Sequence, residues 1–193
     1  VSSSIITNAL HTLEQAGVRL DSGMSDAELD AVQEKFGFRF CRDHRELLAT
    51  AVPVGERWHD WRRDDEQSLR GALAWPIESA LFDVDTNDFW APPWGERPAD
   101  LAERLAVARR KLEAAPTLVP LYAHRYMPAG STNPGSPVFS VYQTDVIYYG
   151  FDLENYVARE FANSPAHGQT QEWVPFWSDL AEGTWDNLGE DDE

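Results

Sequence analysis

Leu118-Val119-Pro120-Leu121-Tyr122-Ala123-His124-Arg125-Tyr126-Met127-Pro128 and Pro137-Val138-Phe139-Ser140-Val141-Tyr142-Gln143-Thr144-Asp145-Val146-Ile147-Tyr148-Tyr149-Gly150 decide the fold. Both stretches are dense in β-branched and aromatic residues, which suit a pleated, half-buried surface. Leu118 to Tyr126 reads as one strand, and Val138 to Gln143 and Val146 to Tyr149 as two more, joined at Thr144-Asp145. That joint is not Asn-Gly, so the turn type stays open. Residues 128 to 137 carry three Pro and two Gly and read as a loop. Beyond Gly150, Asp152 is placed to cap a helix through Leu153, Tyr156, Val157 and Phe161.

Upstream, the apolar period changes from two to near 3.6. Ile5, Ile6, Ala9, Leu10, Leu13 and Ala16 share a helical face that Gly17 can stop. Ser25-Asp26-Ala27-Glu28 has the pattern of a capping box, ahead of a stripe of Leu29, Val32 and Phe36 that ends at Gly37. A third helix fits Asp43 to Ala51 with Leu47 and Leu48 inward, and Pro53 and Gly55 end it. Residues 56 to 70 mix charge and aromatics and read as a loop of functional length. Pro76 suits the first turn of a helix through Leu81 and Phe82. Residues 87 to 98, with three Pro, two Trp and a Gly, are irregular, and Asp100 to Ala115 is a helix closed by Pro116. Helices first and a hairpin-type sheet later predict an α+β domain. Residues 1–165 form that domain. Residues 166–193 are an acidic, Trp-containing extension that packs on it in part.

The charge balance excludes several functions. Among 193 residues there are 33 acids against 16 Lys and Arg, a formal net charge of -17. Phosphate contacts need clustered Lys and Arg, so no nucleic-acid partner is expected, nor an anionic membrane. Aromatics at 12% with eight Trp argue against a disordered acidic chain. One cysteine, Cys41, allows no intrachain disulfide and suits a reducing compartment. Val1 to Leu10 carries no signal-peptide pattern, although the chain begins without Met. No stretch approaches the roughly 20 apolar residues of a membrane span. A cytoplasmic protein is expected.

Catalytic patterns are sparse. There is no Gly-Lys-Ser/Thr phosphate loop, no Gly-x-Gly-x-x-Gly and no Gly-x-Ser-x-Gly. Asp83-Val84-Asp85-Thr86-Asn87 opens like a calcium loop but has Asp88 where Gly is needed and Trp94 where Glu is needed, so a solvated helix end is the better reading. Cys41 and His44 are close in sequence, but a cysteine there reads as a small core residue. His59 with Asp60, Asp64 and Asp65 has loose metal-ligand spacing and no second His nearby. No metal and no cofactor are expected. Trp58, Trp61, Trp90 and Trp94 can be core residues, a sugar-groove floor or interface anchors.

The strand block quoted above, with its His124-Arg125-Tyr126 and Pro128, the Asp152-Leu153 that follows, and upstream Trp61-Arg62, Trp75-Pro76, Phe89-Trp90 and Trp94-Gly95-Glu96-Arg97-Pro98, resembles the SMI1/KNR4 family, the core of the SUKH superfamily. The resemblance covers roughly residues 8 to 165. Gly135-Ser136-Pro137 departs from it, since Asn or Asp is expected before that Pro. The resemblance implies an α+β fold, a single domain with a mainly antiparallel twisted sheet surrounded by helices, and no settled enzymatic activity. It implies a binding role, in bacteria that of an immunity protein neutralising a toxin, often a nuclease, and in fungi that of a regulator of cell-wall synthesis and signalling. A basic protein partner fits the charge, because an acidic surface steers a basic one.

On this reading Trp58 and Trp61 with Asp60, Asp64 and Asp65 contribute to a partner-binding face, together with Trp90, Trp94, His124, Arg125 and Tyr126. For the last three a packing role in the sheet is the stronger alternative. The rival functions are a regulatory adaptor, or an enzyme using the His59/Asp or the His124/Arg125 region. No Lys or Arg follows Arg159, whereas nine acids do. Truncation after Trp185 is therefore expected to slow association with a basic partner and to leave the fold intact.

Overall fold

A computed structural model describes residues 4–165, 168 and 172–185. The tail acids Asp186 and Glu190 to Glu193 lie outside the described residues, and with them the expectation about truncation. The centre is a four-stranded antiparallel meander of β3 (Leu118–Tyr122), β4 (Arg125–Pro128), β5 (Val138–Tyr142) and β6 (Asp145–Gly150), in that spatial order. Alternation along the strands sends Leu121, Met127 and Val138 to one face, where α1 (Ser4–Gln15), α3 (Arg42–Thr50) and α6 (Leu153–Ala162) bury them with Ile6, Leu13, Leu47 and Tyr156. Leu118, Tyr126, Phe139, Val141 and Val146 face the opposite side, under α7 (Trp177–Ala181) and α4 (Glu66–Thr86). Gly150 lies so close to α6 that a Cβ there would sit 2.4 Å from the Tyr156 Cβ, so the turn into α6 requires glycine.

A second, two-stranded sheet pairs β1 (Arg19–Ser22) with β2 (Ala51–Val54), and α2 (Asp26–Phe36) packs beside it. Neither strand is legible beforehand: each has four residues, and β1 alternates too little to carry a period-two signal. Between α4 and the meander in chain order, α5 (Leu101–Glu113) packs on α4 through Ala108 and Leu112.

Two caps form as expected, at Ser25 and Asp152, and Asp100 adds a third. The Ser25/Glu28 box is reciprocal, Asp100 accepts from the Glu103 N–H, and Asp152 accepts from the Asn155 N–H.

Five expectations are corrected. The segment Leu118 to Tyr126 is a hairpin, not one strand: it reverses at Ala123-His124, with Ala123 at φ +48°. Ala carries no turn signal. The turn is held from outside, by the Arg57 carbonyl, which accepts from the Ala123 N–H at 2.7 Å, and by the His59 ring, whose Nε2 bonds the Ala123 carbonyl at 3.1 Å. The second hairpin turns at Gln143-Thr144, one residue earlier than read, because Asp145 pairs with Tyr142. The loop after Gly55 ends at Asp65, which caps α4, so the long loop to residue 70 does not exist. Pro76 lies inside α4 instead of at its start. An interior Pro removes the N–H that would bond the carbonyl four residues back, at a cost of about 3 kcal/mol. Here that carbonyl, Ala72, accepts instead from the Tyr126 hydroxyl at 3.0 Å. Asp83 to Asn87 is the end of the same helix. Asp83 is buried and accepts from the Thr144 N–H and hydroxyl at 2.8 and 2.6 Å, so the solvated end expected there instead pins the β5–β6 turn.

Candidate functional site

The residues singled out in the sequence fall into three places. The first is a knot around Asp60. Its carboxylate is buried and accepts from the backbone N–H groups of Arg62 and Arg63 and from the Arg63 guanidinium. Asp64 accepts from the Asp60 N–H, and Asp65 caps α4 through Ser68. Trp61 is 6% exposed and enclosed by Phe36, Phe38 and Phe40, with ring centroids 5.4–5.5 Å away. Arg62 forks onto Glu28 and donates to the Ser22 and Gly23 carbonyls. The Arg62 guanidinium, with the Ser25 N–H and hydroxyl, holds the Glu28 carboxyl down at about 2. The Asp60 carboxylate is committed internally and the Trp61 ring is enclosed, with its Nε1 buried and without a hydrogen-bond partner, so Asp60 and Trp61 present no face to a partner.

The second place joins the amino-terminal loop to the sheet. Trp58 is 8% exposed, lies edge-on to Tyr122 at 4.9 Å and stacks on Phe161 at 5.7 Å. The next residues on the same sheet are His124, which is exposed, and Arg125, which is buried. Arg125 donates to Ser140 Oγ, pairs with Glu160 at 3.4 Å, and lies 3.7 Å over the Tyr149 ring, which Arg159 also covers at 4.0 Å. Partial burial and the neighbouring Arg125 charge lower the His124 pKa. Tyr126 points to the other face, toward Ala72. His59 is spent on the Ala123 carbonyl, so the His59/Asp and His124/Arg125 groups do not converge on one reacting point.

The third place is a groove of about 340 Å³ walled by Asp88, Phe89, Trp90 and Pro92 on one side and by Asp179, Leu180, Gly183 and Trp185 on the other. A run of ring contacts underlies it: Trp90 on Trp94 at 5.1 Å, Trp94 on Phe176 at 5.7 Å, and Phe176 on Trp185 at 5.7 Å. Trp94 is buried, whereas Trp90 and Trp185 are half-buried and flank the opening. Phe176 has φ +71°, a conformation that costs a bulky residue about 1–3 kcal/mol. Its contacts with Trp94, Trp177 and Trp185 hold it there. Asp179 accepts from the Phe176 N–H, and Asp88 pairs with Arg97. The sequence flagged Trp90 and Trp94 but not Asp88, Phe176, Asp179 or Trp185. The last three lie more than eighty residues further along, where no local spacing connects them.

No reactive nucleophile emerges among the described residues. Cys41 is fully enclosed and burial pushes its thiol up to about 12, while burial holds His44 down at about 3. Asp43 is also buried, and its Oδ2 accepts from the Gly135 and Ser136 N–H groups, which anchors the loop that departs from the family pattern. Among the described residues no three His, Cys, Asp or Glu side chains gather as a metal would need. No helix among them is long and apolar enough to cross a membrane. No protein-family model, curated protein or solved structure matches this chain.

Proposed function

We propose that the chain is a non-enzymatic, cytoplasmic binding domain of the SMI1/KNR4 type, and specifically an immunity protein that binds a basic toxin domain and blocks it. The observation that carries this reading is the groove at Trp90 and Trp185, where half-buried indoles flank the opening beside Asp88 and Asp179. Aromatic anchors beside carboxylates suit an Arg- or Lys-bearing partner: the rings supply apolar area and cation–π attraction, and the acids steer the approach. The net charge of -17 adds long-range attraction.

The test is co-expression with the toxin domain encoded beside this chain. The reading predicts restored growth, a one-to-one complex, and an association rate that falls as salt rises. No adjacent toxin gene, or a toxin that remains active with no complex formed, contradicts it.

A further inference from the structure

A second concavity, unconnected with the acidic groove, lies where four elements meet. The α1–β1 turn contributes Gly17 to Arg19, the loop after β2 contributes Gly55 to Trp58, β3 contributes Tyr122, and α6 contributes Phe161. It encloses about 420 Å³, within the range of pockets that hold small ligands. Trp58, Tyr122 and Phe161 touch one another pairwise, at 4.9, 5.4 and 5.7 Å between centroids, and form an apolar floor. That floor is stiff because Trp58 also bridges to Tyr122 through the backbone and its N–H bonds the Gly55 carbonyl.

The rim reverses the sign of the rest of the molecule. Arg57 is exposed and makes no ion pair among the described residues. Arg19 is 70% exposed and touches Asp21 only at 3.7 Å, while that carboxylate is taken closely by Arg63. A single acid, Glu56, lines the same pocket. In a chain with twice as many acids as bases, two guanidinium groups with uncommitted donors over an aromatic floor are an unusual juxtaposition. Arg donors lie flat against rings and fork onto oxyanions, so this arrangement suits a flat ring bearing a negative group.

We propose that the pocket floored by Trp58, Tyr122 and Phe161 and rimmed by Arg19 and Arg57 is a binding site for a small aryl anion, a planar ring carrying a phosphate or carboxylate. The ring packs on the aromatic floor, and the oxyanion accepts from Arg57 and Arg19. Glu56 remains as an acceptor for any N–H or O–H on the ligand's edge. This site does not depend on the protein-binding reading, because it uses other residues and the opposite charge.

The experiment titrates the full chain with phenyl phosphate, with inorganic phosphate and with phenol, and follows the indole N–H signals by NMR. Phenyl phosphate is expected to shift the Trp58 signal in a saturable way and to bind about tenfold more tightly than either fragment. The double variant Arg19→Ala/Arg57→Ala is expected to lose that preference while its other indole signals stay in place, since both side chains are exposed. Absence of a saturable shift at Trp58, phenyl phosphate binding no better than phosphate, or unchanged binding by the double variant would each overturn the proposal.

Discussion

Residues 58–65 and 88–94 are both short segments with two Trp beside carboxylate, three Asp in the first and Asp88 alone in the second, and the molecule uses them in opposite ways. In the first, Asp60 has backbone N–H groups to accept from and Trp61 has three phenylalanines around it. In the second, Trp94 is buried, but Trp90 stays half-exposed across from Trp185, and the exposed Asp88 has one half-buried partner, Arg97. Both segments set two indoles beside Asp, although the first also carries two Arg and the second two Pro. The difference lies in what the rest of the chain brings. The first segment turns back on itself and onto α2, which commits its Asp60 carboxylate and its Arg62 guanidinium at once. The second meets the 176–185 segment edge to edge, which leaves an opening between two walls. A Trp-and-Asp cluster becomes a fold element when local donors close it, and a candidate interface when a distant segment completes only half of it.

That contrast can be broken by substitution. Trp61→Ala is expected to have the largest effect, about 4 kcal/mol of lost stability in chemical denaturation, because a large buried ring is replaced by a cavity. A loss below about 1 kcal/mol would mean that the knot is not a core. Asp60→Ala leaves the Arg62 and Arg63 N–H groups without their buried acceptor and is expected to cost about 3 kcal/mol, again in stability. In the groove the effects move to binding. Trp185→Ala is expected to weaken a basic partner by about 2 kcal/mol, mostly through faster dissociation, with a smaller change in unfolding free energy. Asp88→Asn is expected to have the smallest effect, a lower association rate and a shallower salt dependence with dissociation nearly unchanged.

Acid titration sharpens the same contrast from the stability side. Glu28, which Arg62 ties to the knot, has a folded pKa of about 2 against an ordinary value of 4.5. Its contribution is complete above 4.5 and is lost as pH falls through about 2. Glu28→Gln should therefore flatten the denaturation free energy between those values. His44 acts over a higher window: burial lowers it from 6.5 to about 3, so the unfolded chain binds a proton first and stability declines as pH falls from 6.5 toward 3. His44→Gln should remove that upper part of the acid slope, and an unchanged slope would show that the imidazole is not enclosed.

What could be read in advance follows a physical boundary. The caps at Ser25 and Asp152 were legible because a cap is a local bond between residues three apart. The antiparallel sheet was legible from its β-rich runs. The Ala123 turn was not, since the loop around Arg57 and His59 imposes it from some sixty residues away. Pro76 misled for a related reason: a hydroxyl from β4 compensates the lost helix bond, and no rule about the helix alone contains it. The candidate site divides along the same line. Trp90 and Trp94 could be flagged by composition, whereas Phe176 and Trp185, which complete the ring contacts beneath the groove, are joined to them only by the fold.

The most direct measurement is hydrogen–deuterium exchange on the full chain, alone and bound to its basic partner. The account predicts added protection at residues 88–94 and 179–185, with residues 58–65 already protected in the free chain and unchanged on binding. Protection that appears at 58–65 on binding, with none at the groove, would contradict it.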